Sequence, residues 1–207
     1  MTVTGKMSWP DLFPEDEIPG MIRDVLDSCR HLLRPPQKEK RPEEALSRQV
    51  YLCLRRMEKY RRGPLEPHLE SWLPDLGARA DIRFSCGKGV DTYFVIEAKR
   101  LFVTYPSGRK DSLVREYVHE GMMRFVSGKY APYQQSSAML GYVHDQRIEP
   151  ARVAIEGEMK TRAKELCLVL DDSGAGIRIG SSAEYSSHQL EGGRRFTLYH
   201  LLVRVSL

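Results

Sequence analysis

Apolar residues recur every three or four positions over two early stretches of the chain. In the first, 18–33, Met21, Ile22, Val25, Leu26 and Leu32 mark one side of a helix. In the second, Pro42 stands at a favoured first-turn position, and Glu43, Leu46, Val50, Cys53/Leu54 and Met57 share a stripe that runs to a Gly63-Pro64 stop. The proline-bounded segment 34–42 reads as the linker between them, and the first 20 residues, with Pro10, Pro14 and Pro19, as an irregular lead-in. The pattern then changes to strand-like runs over 78–84 and 92–102, joined by a glycine-bearing turn at 85–89, which predicts an antiparallel hairpin. Helices are expected over 113–129, 131–143 and 150–165. A short strand follows at 166–170, then a turn at 171–176, a return strand at 177–180 and a closing strand at 195–205.

Composition narrows the class without naming a chemistry. A chain of 207 residues with 41% hydrophobic and 29% charged residues closes a core. No apolar run approaches the roughly 18 residues that span a bilayer, and the first residues lack the basic-then-apolar order of a secretory signal. The expectation is a soluble, cytoplasmic protein with no membrane partner. Cys29, Cys53, Cys86 and Cys167 are scattered singly, so they read as reduced packing residues. His31, His68, His119, His144 and His200 form no spaced ligand set. The formal net charge is only +4, but the span 23–62 holds 12 Lys and Arg against 6 Asp and Glu. Such a face neutralises phosphates or is simply a solvated helix surface. No serine-hydrolase elbow and no phosphate-binding P-loop is present.

The candidate chemistry lies in the hairpin. Side chains alternate along a strand, so Glu97 and Lys99 share a face that Ile96 and Ala98 avoid. They lie inside a run, Tyr93 to Phe102, that reads as apolar on both sides and hence as a central strand, where unpaired charges are expensive. If the hairpin brings Asp81 alongside, two carboxylates and a lysine make an oxygen-rich site suited to Mg²⁺ or Mn²⁺, with Asp81 and Glu97 as the ligands. Glu43 sits on the apolar face of its helix, either aimed at this site or complementing the helix dipole.

The order Glu43 on a helix, Asp81 in Ala80-Asp81-Ile82, then Glu97-Ala98-Lys99 resembles the PD-(D/E)XK nuclease superfamily, with Ala80 where a proline usually stands. That resemblance covers about residues 42–143. It implies an α/β, restriction-endonuclease-like fold, a central mixed β-sheet flanked by α-helices. The chain then divides into a lead-in and helix over 1–41 and a nuclease-like domain over 42–207. It implies a Mg²⁺-dependent endonuclease in which Asp81 and Glu97 bind metal, Lys99 assists the attacking water and Glu43 is an accessory acid, with Glu44 as the alternative should the helix phase shift by one. DNA is the favoured substrate over RNA. A homodimer, or a partner protein in a bacterial defence or restriction system, is also implied. The alternative is a catalytically silent nucleic-acid- or protein-binding module on the same fold. Gln134, Lys129, Arg124 and His188 are candidate substrate contacts, set against capping for Gln134 and packing around Phe125 and Tyr130.

Overall fold

The two early helices form where the periodicity puts them, as α1 (Ile18–Cys29) and α2 (Pro42–Arg56), followed by the short α3 (Glu58–Arg62). This architecture comes from a computed structural model that describes residues 13–205 apart from 37, 74–77, 88–91, 133 and 146. Most of the expected lead-in, and residues 88 and 89 of the turn at 85–89, lie outside the described residues; Pro14 leads into a single 3₁₀ turn, Glu15–Glu17. α1 buries Ile18, Met21, Ile22 and Val25, and α2 buries Leu46, Val50 and Leu54. Phe13 and α1 share one apolar cluster with α2 and the sheet, so the packing runs across the boundary expected at residue 41.

Three strands follow in an antiparallel meander, β1 (Leu65–Leu73), β2 (Ala78–Cys86) and β3 (Tyr93–Leu101). A two-stranded arm, β4 (Val103–Thr104) with β5 (Lys110–Asp111), precedes the next helical stretch. That stretch is a π-helical segment, Glu116–Met122, continued by α4 (Met123–Val126). The chain then returns as β6 (Ser136–Val143), which lies parallel to β3. The helix expected over 131–143 is therefore a strand. Its Ser137 to Val143 are all buried, and a run apolar on both faces carries no period to separate a central strand from a buried helix.

α5 (Ile148–Thr161) leads to β7 (Leu168–Val169), β8 (Arg178–Ile179), β9 (Glu184–Gln189) and β10 (Arg195–Arg204). Asp171 Oδ1 accepts the amides of Ser173 and Ala175 at 2.9 and 2.8 Å, which fixes the turn expected between β7 and β8. Both of those strands pair with β9 rather than with each other. The mixed sheet has the order β1-β2-β3-β6-β10-β9-β7, with β8 also on β9, and β10 runs parallel to β6. It is an α/β arrangement. On one face Phe84, Phe94, Ile96, Leu140 and Tyr142 pack beneath α1 and α2. On the other, Val95, Leu101, Met139 and Leu198 pack with the π-helical segment, α4 and α5. No helix among the described residues is long and apolar enough to cross a membrane. The four cysteines are free, and burial, then Cys53, push the Cys29 thiol up to about 12, as befits a packing residue.

Candidate active site at the fork of two strands

β2 and β3 pair in register from Ser85↔Tyr93 to Ile82↔Ile96, and there the ladder ends. Asp81 is the next residue. Across β1, Glu70 stands where Asp81 would find its partner, but it takes a positive φ of 49° and drops out of the pairing. Alternate amides of a strand point to one side, so Ala98 and Arg100 turn theirs to the edge that β2 has left. Carboxylates take the place of the missing strand. Asp81 Oδ2 accepts the Ala98 amide at 2.7 Å, and Glu43 Oε2, from the first turn of α2, accepts the Arg100 amide at 3.0 Å. The helix phase thus brings Glu43 to the fork, while Glu44 pairs outward with Arg41 at 3.0 Å.

Glu97 and Lys99 project from β3 toward the π-helical segment, as their alternation predicts. Lys99 Nζ donates to Glu97 Oε1 at 2.8 Å and lies 3.6 Å from Glu43 Oε1. Arg124 donates to the same Glu97 oxygen at 2.6 Å and to the Tyr130 hydroxyl at 2.7 Å, and that hydroxyl donates to the Arg79 carbonyl at 2.5 Å. The Glu97 side chain is 2% exposed, yet its Oε2 has no partner among the described residues. Gly121 lets the π-helical segment approach this closely, since a Cβ there would reach the Met139 methyl and stand 3.7 Å from Lys99 Cγ.

Three carboxylates face two cations, and the surplus negative charge shows in the protonation behaviour. Burial, then the charge of Glu97, push the Asp81 carboxyl well above the usual carboxylate range. Burial also raises Glu43, against the lowering pull of Lys99 and the Arg100 amide. For Lys99, burial acts downward, but Glu97 and Glu43 outweigh it and the ammonium is held more firmly than usual. Among the described residues no group of three or more His, Cys, Asp or Glu side chains converges on a metal-sized position. The donor set nevertheless fits a hard divalent cation, which uses one or two carboxylates and retains waters. Glu97 Oε2 is an unsatisfied buried acceptor, and burial, then the charge of Glu97, keep Asp81 from ionising readily.

The structure brings Asp81, Glu97, Lys99, Glu43 and Arg124 together. Gln134 and His188 are held by other partners. Gln134 is 1% exposed, and its Oε1 accepts the Phe13 amide at 3.2 Å while its carbonyl accepts Arg194 at 2.6 Å, so it ties the start of the described chain to the core. His188 is fully buried on β9, between the Leu166 carbonyl and the Ser186 hydroxyl, each at 2.8 Å. Burial of this kind closes it to a substrate. Lys129 is an exposed residue after α4. Sequence reasoning missed the Tyr130 hydroxyl and Gly121, whose only signal was their neighbourhood to a basic and aromatic run. Comparison of the chain with protein-family models, with curated proteins and with solved structures gives no match.

Proposed function

We propose that this chain is a Mg²⁺-dependent nuclease of the PD-(D/E)XK type that hydrolyses phosphodiester bonds in DNA. The observation that carries the reading is the meeting of Asp81, Glu97 and Lys99 where β2 parts from β3, with one buried Glu97 oxygen unsatisfied. The acidic helix α2 upstream and the mixed sheet support the finer assignment to a restriction-endonuclease-like fold. Asp81 and Glu97 would hold the cation, which when bound polarises a phosphate and lowers the pKa of a water. Lys99 stays an ammonium in this environment, so it acts by donating hydrogen bonds and stabilising negative charge as it develops, rather than as a base. Glu43 steadies the Lys99 ammonium from 3.6 Å and holds the open edge of β3. Water is the nucleophile, because no Ser or Cys stands among the residues that meet at the fork.

The test is incubation of purified protein with plasmid, linear and single-stranded DNA and with RNA, in Mg²⁺, Mn²⁺ or EDTA, beside Asp81→Ala and Lys99→Ala. Metal-dependent cleavage that falls at least ~100-fold in both variants is the expected result. A second reading, a silent binding module on the same fold, draws on one specific observation: Lys99 and Arg124 both occupy Glu97 Oε1. Absence of cleavage together with absence of Mg²⁺ or Mn²⁺ binding by calorimetry would decide for it.

A further inference from the structure

Beside the fork lies a cleft of about 290 Å³, walled on one side by the proline-rich linker before α2 and on the other by the β4–β5 arm. That size is at the lower end of small-ligand pockets. It adjoins the candidate active site at two positions. Arg100, whose amide holds Glu43, contributes to its lining, and so does Pro42, the residue before Glu43.

Its deepest polar group is His144, just past the end of β6. The backbone there is fixed, since the His144 amide donates to the Leu101 carbonyl at 3.0 Å and the Asp145 amide to the Phe102 carbonyl at 2.9 Å. The residue is 8% exposed, and its Nε2 finds no partner among the described residues. Buried ring nitrogens are ordinarily hydrogen-bonded, so an unpartnered one on a ring that lines a cleft leaves this histidine with hydrogen-bonding capacity to spare. Burial, then the guanidinium groups of Arg34 and Arg100, push the ring down to about 4, so it is neutral at physiological pH and offers one donor and one acceptor. A neutral imidazole suits the edge of a nucleobase better than a phosphate. Phosphate chemistry is present at the rim instead, where Arg34, Lys40 and Arg100 outnumber Glu39 and Asp145, and Arg34 is already tied to Asp145 at 2.8 Å. Tyr105 adds an aromatic wall, with the Arg109 guanidinium stacked 4.6 Å from its ring. Aromatic faces hold bases without regard to sequence.

We infer that this cleft binds one nucleotide unit of the substrate strand, with its base edge against the His144 ring and its phosphate on Lys40 and Arg100, next to the bond presented to Asp81 and Glu97. The choice of a nucleotide over other anions rests on the nuclease reading. The cleft itself rests on geometry alone.

The experiment uses the full chain in EDTA, with histidine rings isotopically labelled, titrated with deoxynucleoside 5′-monophosphates, deoxynucleosides and inorganic phosphate. The expected result is a shift of the His144 ring resonances by the monophosphates, with affinity at least ten-fold above that for phosphate or nucleoside. Lys40→Glu and His144→Phe should each weaken that binding ten-fold or more. Should His144→Phe fail to fold, Lys40→Glu and Tyr105→Ala at the half-buried wall carry the test. Monophosphates that leave His144 unmoved, phosphate that binds as tightly as the nucleotides, or variants that bind like wild type would each overturn the inference. Because no metal is present, the outcome is separate from cleavage. A chain that cuts DNA but ignores mononucleotides sinks the cleft and spares the nuclease. One that binds them at His144 and cuts nothing with any metal does the reverse.

Discussion

Asp81 is held by one good hydrogen bond, yet its carboxyl is kept protonated more readily than a free one by burial and by Glu97. Its folded pKa lies above the unfolded value of about 3.9. Between those two values the folded state binds the extra proton, so this residue's contribution is fully present below about pH 3.9 and is lost as pH rises through the folded pKa. Asp81→Asn keeps an oxygen for the Ala98 amide and removes the titration. Denaturant melts in EDTA from pH 4 to 8 should therefore show a variant that loses less stability than wild type as pH rises, and that overtakes it near neutrality while cleaving nothing. Parallel pH profiles for the two proteins would refute the electrostatic account of the fork. The residues that matter here were legible because a strand's period of two is short enough to assign Glu97 and Lys99 to one face. Arg124 was legible only as a basic residue among aromatics. Its bond to Glu97 joins residues 27 positions apart, and nothing local in the chain encodes that meeting.

At the scale of elements, the helices with one apolar stripe, α1 and α2, fall within a few residues of the pattern, and β2 and β3 form the expected hairpin. Elements without a one-sided pattern were misread. β6 looked helical because both its faces are covered, and β1 was overlooked because it carries Pro67, Glu66 and Glu70 on a sheet edge. The crowding around β6 is testable through two glycines. A Cβ on Gly141, opposite Lys99 in the β3–β6 ladder, would stand 2.6 Å from a Leu202 methyl and 2.8 Å from a Leu101 methyl. Gly141→Ala should cost about 1–3 kcal/mol in urea unfolding, the usual penalty of overpacking. Gly121→Ala also collides, but with the end of the Met139 thioether, which is unbranched and adaptable, and the helix gains roughly 0.5–1 kcal/mol from losing a glycine. It should fall within about 1 kcal/mol of wild type. If the two variants are equally stable, β6 is not packed as tightly between β3 and β10 as the structure has it.

Across the whole molecule, the half of the sheet remote from the fork is held by a buried polar chain. From the Leu166 carbonyl it passes through His188 to Ser186 at 2.8 Å, on to His200 at 2.9 Å and to the Tyr117 hydroxyl at 2.9 Å. This chain explains how β9, Glu184–Gln189, forms where the apolar pattern predicts no element: Ser186 and His188 point inward and satisfy one another and His200, so a polar sequence makes a buried strand. Burial pushes His188 down to about 4, and burial followed by His188 pushes His200 down to about 3. Both are neutral when folded and titrate near 6.5 when unfolded. Their contribution is thus intact above about pH 6.5 and is lost as pH falls toward the folded values, the opposite direction to Asp81 and Glu43. The two halves of the sheet therefore limit the molecule from opposite ends of the pH scale, the histidine chain from the acid side and the carboxylate fork from the alkaline side. His200→Phe should be less stable at pH 7, since it strands the Tyr117 hydroxyl and takes one of two partners from Ser186, but its stability should fall less steeply below pH 6.5, by about one proton or ~1.4 kcal/mol per pH unit. Unfolding enthalpies measured at pH 5 in buffers of different ionisation heat count that proton directly. An equal proton uptake in wild type and variant would mean that His200 is already charged in the folded protein, which a ring between two hydroxyls in a dry core cannot accommodate.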